Sequence, residues 1–127
     1  MLKWIKNKLL GERIESQVAP KTERYYQLKC NEIFQGKVEY RLADRTRVDI
    51  LTDDLAIEID FASKWYEAIG QACHYSRMTG KRPAILLIVK EPYQEKYIEP
   101  ARKASRISKV KVGDDYHSIA FFVYRDC

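Results

Sequence analysis

The chain has 127 residues, 46% of them hydrophobic, and carries a formal net charge of +5 at pH 7. This composition excludes an intrinsically disordered chain, and the length predicts one domain, residues 1–127, with a hydrophobic core of its own. No apolar run approaches the length of a membrane-spanning helix, so we expect no membrane partner, whereas the positive charge favours an anionic one.

The cysteines and histidines do not form a metal-binding pattern. Cys30, Cys73 and Cys127 include no CxxC pair, and the sequence has only two histidines. Zinc-site spacing is therefore absent, and an odd number of thiols is typical of a reduced, cytoplasmic protein.

An extension over residues 1–20 precedes the predicted core. Met1–Leu10 alternates lysines with apolar residues and lacks a small-residue cleavage site, so we expect no signal peptide. It could form a helix that packs on the domain, or a basic amphipathic helix that contacts a membrane or the DNA backbone.

The core begins with a helix and a strand. The apolar pattern predicts a helix over Thr22–Phe34, with Thr22 as its cap and Gly36 as its end. A strand follows over Lys37–Leu42. Glu39 lies on this strand. A change of one residue in the length of the following turn would move its side chain to the other face of the sheet.

A β-hairpin is predicted next, with strands at Val48–Leu51 and Leu55–Phe61 joined at Asp53-Asp54. A two-residue turn places Asp49 directly opposite Glu58, with Cβ atoms roughly 4.5–5.5 Å apart, where like charges are destabilising without an intervening cation.

Asp60 lies two residues after Glu58, so both side chains point to the same face. The three carboxylates Asp49, Glu58 and Asp60 would then form a patch suited to Mg²⁺. An alternative needs no metal: the same register places Arg47 opposite Asp60, as an ordinary cross-strand salt bridge. An odd-length turn would break this register.

A second helix should run from a Ser63 cap to about Thr79, before Gly80. Lys64 and Gln71 are seven residues apart on it and share a face that begins beside Asp60. Lys64 could equally be a solvated lysine of the first turn.

The remaining elements complete a mixed sheet with helices on both faces. Pro83–Val89 is a continuous apolar run, typical of a buried parallel strand. A helix with Pro100 in its first turn, running to about Ser108, and a strand at Ser118–Tyr124 close the chain. The core therefore covers about residues 21–90 and the C-terminal part 91–127. The basic stretch Arg102–Lys111 is either a phosphate contact or a solvated face.

The hairpin spacing resembles the PD-(D/E)XK nuclease superfamily, whose core is a helix, three strands, a helix and a strand. Its signature is an Asp on the second strand and Asp/Glu-x-Lys on the third. Asp49 and Glu58 match the two acidic positions, whereas Asp60 stands where the lysine is expected. Lys64 is the nearest lysine, and Gln71 matches a glutamine that recurs in the following helix.

The resemblance implies an α/β, restriction-endonuclease-like fold and Mg²⁺- or Mn²⁺-dependent hydrolysis of DNA. Asp49, Glu58, Asp60 and the backbone carbonyl of Ile59 would hold the metal, and Lys64 and Gln71 would complete the catalytic site. A glutamate on the first helix helps bind metal in some relatives. Glu32 lies near the end of that helix, but we expect it to be solvent-exposed.

Three functional alternatives remain open. The small size and basic charge are similar to those of Holliday-junction resolvases and phage-encoded nucleases, and junction cleavage would require a homodimer. The aspartate at position 60 also suits a nuclease-like protein that has lost catalysis and binds nucleic acid or a protein partner. A structural or regulatory protein without a nucleic-acid role is the third.

Overall fold

The computed structural model describes residues 21–126. The extension over residues 1–20 and Cys127 lie outside the described part. The helices are α1 (Glu23–Phe34), α2 (Trp65–Thr79) and α3 (Ile98–Ile107), with short 3₁₀ turns at Ala62–Lys64 and Glu95–Tyr97. The strands are β1 (Lys37–Arg41), β2 (Arg47–Leu51), β3 (Leu55–Phe61), β4 (Arg82–Lys90), β5 (Lys109–Val112), β6 (Asp115–Ser118) and β7 (Ala120–Asp126).

Five of the strands form one mixed sheet in the order β1-β2-β3-β4-β7. β1, β2 and β3 are antiparallel neighbours, and β4 runs parallel to both β3 and β7. The connection from β3 to β4 is the crossover helix α2, as parallel pairing requires. β5 and β6 form a separate two-stranded hairpin.

Helices cover both faces of the sheet, as the sequence predicted. On one face Tyr26 and Cys30 of α1 pack with Ile57, Ile59 and the even-numbered residues of β4. On the other face α2 and α3 pack against the odd-numbered residues of β4 through small side chains, Ala68, Ala72 and Ala101. Coverage from both sides explains why the run at Pro83–Val89 is apolar without interruption.

The turn between α1 and β1 depends on a close approach of the backbone. Thr22 caps α1 as predicted, accepting a hydrogen bond from the Tyr25 N–H at 3.2 Å, but the helix ends at Gln35, which has φ +54°, and not at Gly36. A Cβ at Gly36 would lie 2.5 Å from the carbonyl oxygen of Leu51. Gly36 is therefore needed for contact between the chain and β2.

Several predicted boundaries differ from those observed. Ser63 lies inside a 3₁₀ turn and does not cap α2, which begins at Trp65. α3, in contrast, has Pro100 in its first turn and ends at Ile107, as predicted. The hairpin β5–β6 was not predicted, because the lysines and polar residues of its short strands obscure the apolar alternation, and the last strand begins at Ala120. Among residues 21–126, no helix is long and apolar enough to span a bilayer.

Candidate functional site

The β2–β3 hairpin has the predicted register. Ile50 pairs with Ile57 and Leu51 with Ala56, which places Asp49 opposite Glu58. Thr52 fixes the turn, because its hydroxyl oxygen accepts hydrogen bonds from the N–H groups of Leu55 at 2.9 Å and Asp54 at 3.2 Å. The two carboxyl groups are buried, with only 8% of Asp49 and 4% of Glu58 exposed.

Asp49 is held by hydrogen bonds from two directions. Its Oδ2 accepts from the backbone N–H of Ile59 at 2.7 Å, and its Oδ1 accepts from Nε2 of Gln27 at 2.7 Å. Gln27 lies on α1 and is 2% exposed, and its Oε1 has no hydrogen-bond partner. One buried oxygen beside Asp49 therefore has no hydrogen-bond partner among the described residues, which is unusual in a folded protein.

Glu58 is held from the opposite helix. When the amide of Gln71 is oriented with its nitrogen toward Glu58, Nε2 donates to Oε2 at 2.6 Å and to Oε1 at 3.2 Å. Gln71 lies on α2, so each carboxylate of the pair has its own glutamine from its own helix. The sequence placed Gln71 on the helix face that can reach the carboxylates, and its amide lies next to Glu58.

Burial raises the pKa values of both carboxyl groups of the pair. Burial, followed by the charge of Asp49, raises the pKa of Glu58 to about 11. Burial also raises the pKa of Asp49, although hydrogen bonds from the Ile59 N–H and from Glu58 oppose this shift. Burial and the neighbouring charge of Asp49 therefore favour the protonated form of Glu58.

Asp60 and Lys64 lie at the rim of the site. Asp60 is half-buried, and its Oδ1 accepts from the Phe61 N–H at 2.9 Å. Burial raises its pKa, whereas the positive charge of the exposed Lys64 lowers it. Arg47 pairs with Glu39 at 3.0 Å and not with Asp60, so the predicted cross-strand salt bridge was wrong.

The first helix brings Glu23, rather than Glu32, toward the carboxylate pair. Glu32 is exposed, as the sequence favoured, and pairs with Lys29 at 3.9 Å on the surface of the helix. Glu23 is the nearer one: burial raises its pKa, and the charges of Asp49 and Asp60 add to the shift. Glu23 and Gln27 are four residues apart and share one side of α1, a spacing that could have identified both.

The described residues do not include a complete metal-binding cage. Within residues 21–126, no three His, Cys, Asp or Glu side chains form a group that could hold a metal ion. Mg²⁺, however, is usually bound through one or two carboxylates together with waters and substrate phosphates. The buried pair Asp49–Glu58, next to the unsatisfied Oε1 of Gln27, fits that requirement. Ile59, whose backbone carbonyl was the further ligand expected from the sequence, contacts Asp49 through its N–H.

No family model, curated protein or solved structure matches this chain. The interpretation of the site therefore depends on its geometry and on the sequence pattern.

Proposed function

We propose that this protein is a metal-dependent nuclease that hydrolyses phosphodiester bonds of DNA, built on a restriction-endonuclease-like core. The observation that carries the proposal is the pair of buried carboxylates, Asp49 and Glu58, on adjacent strands, each hydrogen-bonded by a glutamine from a different helix. Burying two carboxyl groups side by side is unfavourable for their charged forms, and groups with pKa values shifted in this way are concentrated at functional sites.

The topology supports the proposal. The order α1-β1-β2-β3-α2-β4, with three antiparallel strands and a fourth parallel to the third, is the arrangement implied by the PD-(D/E)XK resemblance. Asp49 lies on the second strand and Glu58 on the third, which are the positions that the resemblance assigns to the two acidic residues.

Each residue of the site would have a distinct role. Asp49 and Glu58 would hold Mg²⁺ or Mn²⁺, and Asp60 and the Ile59 carbonyl are the further candidates for ligands. The bound ion would supply polarisation of the scissile phosphate and a lowered pKa of a coordinated water. Gln71 would keep the Glu58 carboxylate in a fixed orientation, since it donates to both oxygens.

Lys64 is the candidate for the missing lysine of the motif. It is exposed at the start of α2, and its charge acts on both Asp60 and Glu23. A cation in that position would offset the negative charge that develops on the phosphate in the transition state. Asp60 occupies the usual lysine position on β3, so the positive charge would come from the neighbouring helix.

Plasmid nicking in Mg²⁺ or Mn²⁺ tests this function. We expect cleavage by the parent protein and its loss in Asp49→Asn and Glu58→Gln, which keep the size of each side chain. Glu32→Gln is the matched control, because it removes an exposed carboxylate from the same protein. Cleavage by both site variants at the parent rate would exclude this site.

Two observations favour a second candidate function, that of a nuclease-like fold that binds DNA or a protein without cleaving DNA. Asp60 replaces the motif lysine, and no three-residue metal group is preassembled in the described part of the chain. Calorimetric titration with Mn²⁺, beside the nicking assay, separates the two: metal binding without cleavage would favour the binding protein.

A further inference from the structure

We propose that Arg24 and Arg47 form a binding site for one phosphate group of a nucleic-acid backbone, at the edge of the carboxylate site, and that Glu39 fills it in the free protein. This inference deepens the proposed function and rests on it for the identity of the polyanion. It assigns a role to three residues outside the carboxylate pair.

The geometry joins two guanidinium groups through one carboxylate. Nη1 of Arg47, on β2, lies 3.0 Å from Oε1 of Glu39, and Nη1 of Arg24, on α1, lies 3.4 Å from Oε2. The two arginines come from different elements and converge on the two oxygens of the same group. A phosphate also presents two adjacent oxygens, which guanidinium groups bind with matching geometry.

The backbone at Glu39 is strained. Its φ is +52°, in the left-handed region that side chains with a Cβ avoid. The β1–β2 ladder pairs Val38 with Ile50 and Tyr40 with Val48, so the left-handed residue lies between these pairs, opposite Asp49. Exposed ion pairs contribute little to the free energy of unfolding. The pairs with Arg24 and Arg47 therefore do not offset the strain of the left-handed backbone at Glu39.

Both arginines are accessible to a ligand. The side chain of Arg24 is 56% exposed and that of Arg47 is 52% exposed, whereas that of Glu39 is 32% exposed. An incoming phosphate can therefore reach the guanidinium groups from solvent. The Glu39 side chain is itself partly exposed, so its carboxylate can leave without uncovering a buried charge.

The arginine pair borders the carboxylate site. Arg24 follows Glu23 in the sequence, and the negative charge of Glu39 contributes to the raised pKa of both Glu23 and Asp49. The carboxylates of the site and of Glu39 would repel the phosphates of an approaching nucleic acid unless positive charges lie beside them. Arg24 and Arg47 supply positive charge on the α1–β2 side, and Lys64 supplies it on the α2 side.

Binding of a fluorescein-labelled DNA duplex in EDTA tests the inference without cleavage. Anisotropy titrations over a range of salt concentrations should show Arg24→Gln and Arg47→Gln each weakening affinity about tenfold, the order of one lost charge-assisted hydrogen bond. The slope of log affinity against log salt should fall by about 0.9 for one phosphate released. Glu39→Gln should bind more tightly than the parent, because the competing charge is gone.

Arg82→Gln is the matched control. Arg82 is an exposed arginine at the start of β4. It pairs with Leu55, at the far end of the β3–β4 ladder from Asp60. Thermal unfolding checks that each variant is folded. Arg24→Lys and Arg47→Lys serve where a glutamine variant unfolds, and they should keep the salt slope while losing affinity, because lysine lacks the paired donors.

The outcomes separate the two proposals. If Arg24→Gln and Arg47→Gln bind like Arg82→Gln, or if the parent binds DNA without salt dependence, the phosphate site is overturned. If the parent cleaves DNA and the arginine variants bind unchanged, the nuclease proposal stands and this one fails. If the parent never cleaves DNA but the arginine variants bind it more weakly, the phosphate site stands and the nuclease proposal fails.

Discussion

The carboxylate of Asp49 accepts the backbone N–H of Ile59, 2.7 Å away on the neighbouring strand. A side-chain oxygen thus takes the place of a ladder carbonyl, next to the backbone pairing of Ile50 with Ile57. Asp49 therefore has two roles, since the same group that could hold a cation also satisfies a buried N–H of β3.

This double role predicts different stabilities for two variants. Asp49→Ala leaves the Ile59 N–H and the Gln27 amide without an acceptor, and each unpaired buried group costs about 1–3 kcal/mol. Asp49→Asn keeps one acceptor oxygen and removes a buried charge, so its free energy of unfolding should lie closer to that of the parent. Urea denaturation measures both, and equal loss in the two variants would contradict the assignment.

Glu58 predicts how stability depends on pH in the metal-free protein. Its folded pKa of about 11 lies above its ordinary value of 4.5, so its contribution to stability is fully present below pH 4.5 and is lost as pH rises toward the folded value. Glu58→Gln has no titrating side chain at position 58, so the free energy of unfolding of this variant should fall less with rising pH. Unfolding of both proteins in EDTA across this range is the measurement, and parallel curves would refute the shift. Added Mg²⁺ should raise the melting temperature of the parent more than that of Glu58→Gln.

Asp60 and Lys64 should fail in different ways. Asp60→Asn is expected to weaken metal affinity, with excess Mn²⁺ restoring much of the rate, because Asp60 is a candidate ligand. Lys64→Met should leave metal affinity nearly intact and lower turnover at saturating metal, because its charge would act on the transition state. Metal titrations of the cleavage rate distinguish the two, and an unchanged rate for Lys64→Met would remove Lys64 from the site.

Two glycines should respond in opposite directions to alanine. A Cβ at Gly36 would lie 2.5 Å from the Leu51 carbonyl oxygen, so Gly36→Ala must displace backbone at a cost of about 1–3 kcal/mol. Gly70 lies inside α2 with nothing within 4 Å of the added atom, so Gly70→Ala should stabilise by about 0.5–1 kcal/mol. Thermal unfolding of the two variants should show shifts of opposite sign.

The sequence was informative where the pattern of apolar residues is simple. The hairpin register followed from a two-residue turn between two apolar runs, and that register alone brought Asp49 opposite Glu58. The buried parallel strand over Pro83–Val89 was equally predictable from its uninterrupted apolar run. In both cases the local pattern agrees with the packing of the whole domain.

Contacts between distant side chains were harder to predict. Arg47 was expected to face Asp60, but a left-handed backbone at Glu39 presents a closer carboxylate, and a single strained residue leaves no periodic signal. Gln27 was overlooked because a polar residue on a helix is ordinarily exposed, whereas here the carboxylate of Asp49 compensates for its burial.

The two glutamines tie the site to the packing of the domain. Gln27 belongs to a helix seated on one hydrophobic core and Gln71 to a helix seated on the other, across the sheet. The distance between the two carboxylates therefore depends on how α1 and α2 are positioned on the two faces of the sheet. A small change in either core, such as Cys30→Ala or Ala72→Gly, would therefore shift the helix that carries one glutamine and change the spacing of the two carboxylates.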